Sequence, residues 1–301
     1  MTQGHPGVRD YALLVCLSAI WGGSFLFIKI GVETVPAATM TLGRLAIAAV
    51  LLVAVARMAG QNLPRGLRLW GLIALASLFG AALPFTLIAW GEEHIDSGLA
   101  AILMAVMPLT TLLLAHVFTK DEKMTPRKTL GVAMGILGLV VLIGPANLAV
   151  LGEDAIRQLA VAGGAFCYGV NAVVTRSLTG QPRRAMAAGL MIASTLMLLP
   201  ISLMLDRPWT LSPITESLVS ILVLAVLQTA IATLMMLALV RRQGASFFSQ
   251  INFMVPLFGV LFGALVLLER PPPNAYAALA IILLGVAIAR GRNRAKSPKP
   301  A

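Results

Sequence analysis

The sequence predicts an all-α integral membrane protein with ten transmembrane helices, arranged as two inverted five-helix repeats. Three observations support this prediction: the composition, the spacing of the apolar stretches and an internal repeat. Of the 301 residues, 58% are hydrophobic and 12% are charged, whereas about 25% of a soluble domain is charged. With a mean hydropathy of +0.90, the chain has more apolar surface than a soluble core can hide, so we expect lipid around it.

The ten predicted spans are apolar stretches separated by charged loops. A transmembrane helix needs about 20 apolar residues, with about 17 as a lower limit. The stretches cover residues 11–30, 37–56, 69–90, 97–118, 127–144, 156–178, 184–205, 216–240, 245–268 and 273–289. No clear cleavage site follows the first stretch and nine more come after it, so it is predicted to be a span and not a signal peptide.

The positive charges of the loops fall on alternate sides of the predicted membrane. Of the 23 lysines and arginines, 18 lie on one side, here called the basic side. Only Arg157, Arg207 and Arg270 lie on the opposite side, and Lys29 and Arg44 fall within spans. Basic loops face the cytoplasm, so both termini are predicted to be cytoplasmic. The net charge of +11 therefore comes from short loops and not from one basic face, and no nucleic-acid partner is predicted.

The chain contains an internal repeat. Met-Pro-Leu at 107–109 in the fourth span matches Val-Pro-Leu at 255–257 in the ninth, and Glu-Lys-Met-Thr-Pro at 122–126 matches Glu-Arg-Pro-Pro-Pro at 269–273. Chance similarity between apolar stretches is the alternative, which the shared spacing disfavours. Because each half has five spans, the second half must enter the membrane from the opposite side, a design typical of secondary transporters. The predicted repeats are residues 1–146, with spans 1–5, and residues 147–301, with spans 6–10 and a basic cytoplasmic tail.

A set of short motifs accompanies this organisation. The motifs are Trp21-Gly-Gly-Ser-Phe25 with Lys29, Arg44-Leu-Ala, Pro108 with Glu122, and Pro256 with Glu269. Together with the ten spans they resemble the drug/metabolite transporter superfamily, and within it the EamA-type exporters, which include bacterial amino-acid exporters. The resemblance implies export of small metabolites, often amino acids, across the bacterial inner (plasma) membrane. In one place the chain departs from the family pattern, because Ala165 or Cys167 stands where a tryptophan is expected in span 6.

The candidate substrate-binding residues are aromatic, amide, hydroxyl and apolar side chains within the spans of both halves. They are Trp21, Ser24, Phe25, Phe79, Leu83, Trp90, Met104, Met107, Tyr168, Asn171, Gln228 and Asn252. Asn171 offers both donors and an acceptor, as the carboxylate and ammonium of an amino acid require. For each amide the alternative is an ordinary hydrogen bond between helices, and for each apolar residue it is ordinary packing.

Prolines and charged residues within the spans are further candidates. Pro84, Pro108 and Pro256 are predicted hinges, because proline kinks a helix and frees carbonyl groups that can face a cavity. Arg44 is predicted either to bind a substrate carboxylate or to hold the fold by satisfying backbone carbonyls, and the second role is favoured. Lys29 is predicted to have a structural role or to extend to the membrane interface.

The sequence lacks the motifs for ATP hydrolysis and metal binding. The sequence has no Gly-x-x-x-x-Gly-Lys-Ser/Thr and no metal-binding motif, so neither a cofactor nor a metal is predicted. Cys16 and Cys167 both lie within spans and are expected to be core residues. No Asp or Glu lies in the middle of a predicted span, which favours facilitated diffusion over antiport coupled through a carboxylate.

The sequence therefore predicts a transporter and not an enzyme. Spans 1–4 and 6–9 are expected to form a cavity that opens to each side in turn, while spans 5 and 10 brace it. The predicted partners are a small-molecule substrate and the lipid bilayer, and the protein is expected to be a monomer. One alternative is an exporter of amphipathic drugs or cations. A remote alternative is an intramembrane lipid-modifying enzyme, for which the outer-loop residues Glu92, Glu93, His94 and Asp96 are the candidates.

Overall fold

The computed structural model describes residues 6–118, 123–145, 152–178 and 180–290. These residues form ten principal helices and no strand. The helices are α1 (Val8–Gly31), α2 (Ala37–Met58), α3 (Leu67–Glu92), α4 (Ser97–Phe118), α5 (Pro126–Ile143), α6 (Glu153–Leu178), α7 (Arg183–Asp206), α8 (Thr215–Ala245), α9 (Ile251–Val266) and α10 (Pro273–Arg290). Glu122 of the repeat motif and the basic tail after Arg290 lie outside the described residues.

Nine of these described helices are long and apolar enough to cross a membrane, and α9 is an apolar helix of 16 residues. The boundary before α9 lies at Gly244, whose φ of 81° and ψ of 171° interrupt the helical conformation. Only glycine adopts a positive φ without a steric cost, so Gly244 interrupts the helix one residue before the end of α8, and a short helical turn then leads into α9. The predicted all-α membrane fold, with ten helices in two inverted five-helix repeats, is confirmed.

Equivalent helices of the two halves make equivalent packing contacts with the other half. α1 packs on α9 of the other half, and in the same way α6 packs on α4. α2 packs on α7, and α5 packs closely on α10. Small residues allow the last contact, since a Cβ atom added at Gly131 would lie 2.5 Å from the carbonyl oxygen of Gly285. α1 and α9 thus form one packed group of helices, and α4 and α6 form another.

Three helices depart from regular α geometry near the middle of the fold. α4 is interrupted after Met104 and resumes at Met107, because Pro108 cannot donate a backbone hydrogen bond and clashes with the preceding turn. α3 contains a π-helical segment, Leu78–Ala82, which ends two residues before Pro84, and α8 contains another, Leu224–Ile231. π segments are frequent at functional sites, and these two occupy the third helix of each half.

Candidate functional site

A cavity of about 700 Å³ lies between the two helix groups. Most of the candidate residues line it: Trp21, Ser24, Phe25, Met104, Met107, Tyr168, Asn171, Gln228 and Asn252, together with Arg44, Pro108 and Pro256. Both π segments also reach the cavity, through Gly80 in α3 and through Gln228 and Thr229 in α8. The structure therefore brings residues from both halves of the chain to one site.

Phe79, Leu83, Trp90 and Pro84 do not line this cavity. The π segment Leu78–Ala82 adds a residue to the turn and so rotates the face that α3 presents, because a regular α-helix repeats every 3.6 residues. Leu83 is instead 36% exposed on the outside of the fold. Trp90 lies under the guanidinium of Arg157, whose Cζ is 4.0 Å from the ring centroid.

The cavity is closed on the side opposite to the basic side. There α9 contacts the first part of α4, the segment Ser97–Met104. The carboxylate of Glu269 accepts hydrogen bonds from the backbone N–H groups of Ser97 and Gly98, at 2.8 and 2.9 Å. These N–H groups form the positive N-terminal end of α4, which attracts a carboxylate. The contact joins one half of the chain to the other.

Arg157 makes a second closing contact at the same end. Its Nη1 donates to the carbonyl oxygen of Trp90 at 2.6 Å and to Oε2 of Glu93 at 2.7 Å. Toward the basic side the cavity instead extends as far as Ser249, just before the start of α9, and Arg290, the last residue of α10. In this conformation the cavity therefore reaches the basic side and is sealed on the opposite side.

Arg44 is a buried cation in the wall of the cavity. It is 5% exposed, and its Nε donates to Oγ1 of Thr229 at 2.8 Å. Thr229 in turn donates to the carbonyl oxygen of Leu224, five residues earlier, which is the spacing of a π turn. The Arg44 guanidinium lies over Phe85, with 4.0 Å between Cζ and the ring centroid. Among the described residues, no backbone carbonyl and no carboxylate bonds to its two terminal nitrogens.

Two amide side chains of the lining have oxygen atoms without a partner. Oδ1 of Asn171 and Oε1 of Gln228 are buried and accept no hydrogen bond from the described residues. Asn171 packs against Gly80, where an added Cβ atom would lie 2.9 Å from the Asn171 Cγ and Oδ1 atoms. Buried polar atoms normally have partners, so these two oxygens lack the partner that such atoms usually have.

The charge of the lining has one sign. Arg44 and Arg290 line the cavity, and the lining includes no Asp or Glu from the described part of the chain. Arg290, near the basic end, lies over the ring of Phe253 with 4.8 Å between its Cζ and the ring centroid. A positive, partly enclosed site favours a ligand that carries a carboxylate or another anionic group.

Lys29 does not extend to an interface. Its Nζ donates to the carbonyl oxygens of Glu92 and Ile95, at 2.8 and 2.9 Å. These two residues flank the connection between α3 and α4, so Lys29 ties α1 to that connection. Of the two predicted roles, this geometry matches the structural one.

The outer cluster of Glu92, Glu93, His94 and Asp96 is only partly exposed. Glu92 is 0% exposed as the last residue of α3. Glu93 pairs with Arg157, and Nε2 of His94 lies 3.1 Å from Glu153. Within the described residues, no group of three or more His, Cys, Asp or Glu side chains is placed to hold a metal ion. Sequence reasoning missed the burial of Glu92 because this burial depends on how the helix ends close together.

Known proteins share both the sequence pattern and the fold. The model of the EamA-like transporter family matches residues 10–144 and 156–291. A protein of Streptantibioticus cattleyicolor named "Probable terminal-alkyne amino-acid exporter" is 28% identical over 93% of this chain and 92% of its own length. The "Uncharacterized inner membrane transporter YedA" of Escherichia coli K12 is 27% identical over 92% of this chain and 89% of its own length.

A protein of known crystal structure has the same fold. It superposes with a TM-score of 0.66 at 18% sequence identity, over 94% of this chain and 97% of its own. The apolar helices and the named relatives point to a multi-pass inner-membrane transporter and not to an enzyme. Two matches to one family model, which together span nearly all of the sequence, give the same assignment as the helix pattern. The chain therefore belongs to the EamA-like transporter family.

Proposed function

We propose that the protein exports amino acids, or similar small molecules with a carboxylate, by alternating access. The observation that carries this proposal is Arg44, a buried cation in the cavity wall whose terminal nitrogens lack partners among the described residues. The relative named "Probable terminal-alkyne amino-acid exporter" supports the same substrate class.

A substrate carboxylate would bind to the guanidinium of Arg44. Arginine presents two parallel N–H groups that match the two oxygens of a carboxylate. The bond from Nε to Thr229 and the ring of Phe85 hold the guanidinium in one orientation. A hydrogen bond to a charged group contributes about 1.5–3 kcal/mol, so this contact would account for a large part of the affinity.

The substrate ammonium would bind to the amide oxygens of Asn171 and Gln228. Each oxygen is buried without a partner, and an unsatisfied buried acceptor costs about 1–3 kcal/mol. An ammonium group would satisfy both acceptors. Asn171 comes from α6 and Gln228 from α8, while Arg44 comes from α2. A zwitterion would thus be held by three helices.

The substrate side chain would lie against the apolar part of the lining. Met104 and Met107 flank the interruption of α4, and Trp21 and Phe25 come from α1. Methionine is flexible and fits side chains of varied shape. We therefore expect selectivity for the amino-acid backbone groups and tolerance toward apolar side chains.

Transport would follow if the cavity closed in turn at its basic end and at its opposite end. The present conformation is open toward the basic side, which the charge pattern predicts to be cytoplasmic. Breaking the contacts of Glu269 and Arg157 at the opposite end, and closing the basic end, would release the substrate outward. Export of drugs or cations is less well supported, because Arg44 and Arg290 give the cavity a positive charge.

The test is uptake of radiolabelled amino acids by proteoliposomes that contain the purified protein. We expect saturable uptake by the wild type and a loss of at least about tenfold with Arg44→Gln, equivalent to about 1.4 kcal/mol. Leu83→Ala is the matched control, since Leu83 lies on the outside of the fold, and it should transport as the wild type does. Equal uptake by well-folded Arg44→Gln would contradict the proposal.

A further inference from the structure

Glu92 is a buried carboxylate that the proposed substrate site does not use. It ends α3, is 0% exposed, and neither of its carboxylate oxygens has a hydrogen-bond partner among the described residues. Residues spaced by three or four along a helix share a face. Phe85 and Ile88 line the cavity, so Glu92 continues the same face of α3 one turn beyond Ile88, past the sealed end of the cavity.

Charged groups surround Glu92, but among the described residues none of them bonds to its carboxylate oxygens. The groups on the neighbouring elements are Lys29 of α1, Arg44 of α2, Arg157 of α6 and Glu269 after α9, and those on the adjoining connection are Glu93 and Asp96. Lys29 bonds to the backbone carbonyl of Glu92 and not to its carboxylate. No salt bridge to the Glu92 carboxylate forms within the described part of the chain, so its charge would have neither an ion-pair partner nor a hydrogen-bond donor in direct contact.

An ionised carboxylate cannot remain buried without a partner at reasonable cost, and a group in that position keeps its proton instead. Its burial and the missing partners of its two oxygens therefore favour a protonated Glu92 carboxyl group in the present conformation. The contacts that seal it, those of Glu269 with Ser97 and of Arg157 with Glu93, are the ones that alternating access must break. Opening that end would admit water to Glu92 beside Lys29 and would allow it to ionise.

We propose that Glu92 is a proton-binding site linked to the transport cycle. It binds a proton while the cavity is open toward the basic side and exchanges that proton with the opposite side when the opposite end opens. This inference rests on the alternating access of the proposed function. It also revises the expectation of simple facilitated diffusion, which depended on the lack of a carboxylate in the middle of any span.

The sign of the pH dependence follows from linkage. The conformation open toward the basic side binds the proton more tightly, so its population rises as pH falls and declines as pH rises. For one linked proton, the ratio of the two conformations changes by at most about tenfold per pH unit. Replacement of Glu92 by Gln mimics the protonated state and removes the titration.

The experiment measures the distance between two spin labels across the sealed end. The spin labels are attached to two introduced cysteines, Asp154→Cys in α6 and Arg270→Cys after α9, which are exposed positions on different helix groups. The native cysteines are removed by Cys16→Ser and Cys167→Ser. The distance between the labels is measured by pulsed electron paramagnetic resonance in lipid nanodiscs over a pH series. We expect the short distance to gain population as pH falls. With Glu92→Gln the short distance should dominate at every pH. Glu216→Gln, which removes an exposed carboxylate at the start of α8, should titrate as the wild type does.

Two results would overturn the proton site: a wild-type distance distribution that ignores pH, or a Glu92→Gln variant that titrates normally. If Glu92→Gln does not fold, Glu92→Asp must move the midpoint of the titration, and an unchanged midpoint contradicts the proposal. Amino-acid uptake by the same preparations separates the two proposals. Intact uptake without a pH response defeats the proton site alone, whereas a normal titration without amino-acid uptake defeats the proposed substrate alone.

Discussion

Gly80→Ala is predicted to impair amino-acid transport without unfolding the protein. An alanine Cβ at this position would lie 2.9 Å from Cγ and Oδ1 of Asn171 and 3.0 Å from its Nδ2. These distances are too short for nonbonded atoms, so the Asn171 side chain must move. Glycine is about 1 kcal/mol worse than alanine in a helix, so we expect the gain in helix propensity to offset part of the strain.

The size of the effect follows from the bond that would be lost. A displaced Asn171 no longer accepts from the substrate ammonium, and a hydrogen bond to a charged group is worth about 1.5–3 kcal/mol. At 1.4 kcal/mol per tenfold, KM for an amino acid should rise by about 10- to 100-fold. The assay is initial uptake by proteoliposomes over a range of substrate concentrations, with thermal unfolding followed by circular dichroism.

Gly163→Ala is the matched control in α6. Its Cβ atom would meet only Cδ1 of Leu87, at 3.7 Å, which is an ordinary van der Waals contact. We expect its KM to equal that of the wild type. An unchanged KM for folded Gly80→Ala, or an equal rise for both variants, would refute the placement of Asn171 at the substrate ammonium.

Three further predictions concern packing, closure and topology. Gly131→Val should lower the free energy of unfolding by about 1–3 kcal/mol through overpacking against Gly285, whereas Gly71→Ala, with nothing within 4 Å of its Cβ, should not; equal melting temperatures would contradict the α5–α10 contact. Glu269→Gln removes the charge at the N-terminus of α4, worth about 0.3–1 kcal/mol. A cysteine introduced into the cavity lining should then react faster with a thiol reagent added on the side opposite to the basic side. An unchanged rate would show that Glu269 does not help to close the cavity. A reporter active only in the periplasm should be inactive when fused after Ala301, and activity there would overturn the predicted orientation.

The sequence could predict the fold because its signals are local. Span length, loop charge and the repeated proline depend on short stretches of sequence, and lipid imposes helices on apolar segments of this length. The same signals identified Arg44, Asn171 and Gln228 as polar groups within spans. In the structure these three residues line one cavity to which both halves contribute, and their role in binding stays a prediction.

The remaining features of the site depend on local helix irregularities and on tertiary packing, which a regular helical period cannot predict. The π segment before Pro84 turns Gly80 and Phe85 toward the cavity, and it leaves Leu83 outside. The burial of Glu92 likewise arises only where ends from several helices close together. The proline within the predicted span is the signal that could have warned that Leu83 lies outside the cavity, because a proline can displace the helical face by one residue.

Sequence hydropathy also predicted a boundary between the eighth and ninth spans, and the backbone conformation explains why the helix breaks there. The ninth span was predicted to start at residue 245, and the structure places the break at Gly244, where φ is 81°. A glycine between two apolar stretches is a frequent boundary because it adopts this φ without strain. The break at Gly244 lies beside the predicted boundary, but α9 itself begins six residues later than predicted, at Ile251.

The central claim, that the cavity recognises a carboxylate through Arg44, is tested most directly by equilibrium binding. Isothermal titration would compare an amino acid with its amide, for the wild-type protein and for Arg44→Lys. The account predicts that the wild type binds the amino acid at least about tenfold more tightly than the amide, a difference of about 1.4 kcal/mol, and that Arg44→Lys reduces this preference because lysine cannot bind a carboxylate through a planar fork. Equal affinity of the wild type for the two ligands would contradict the claim.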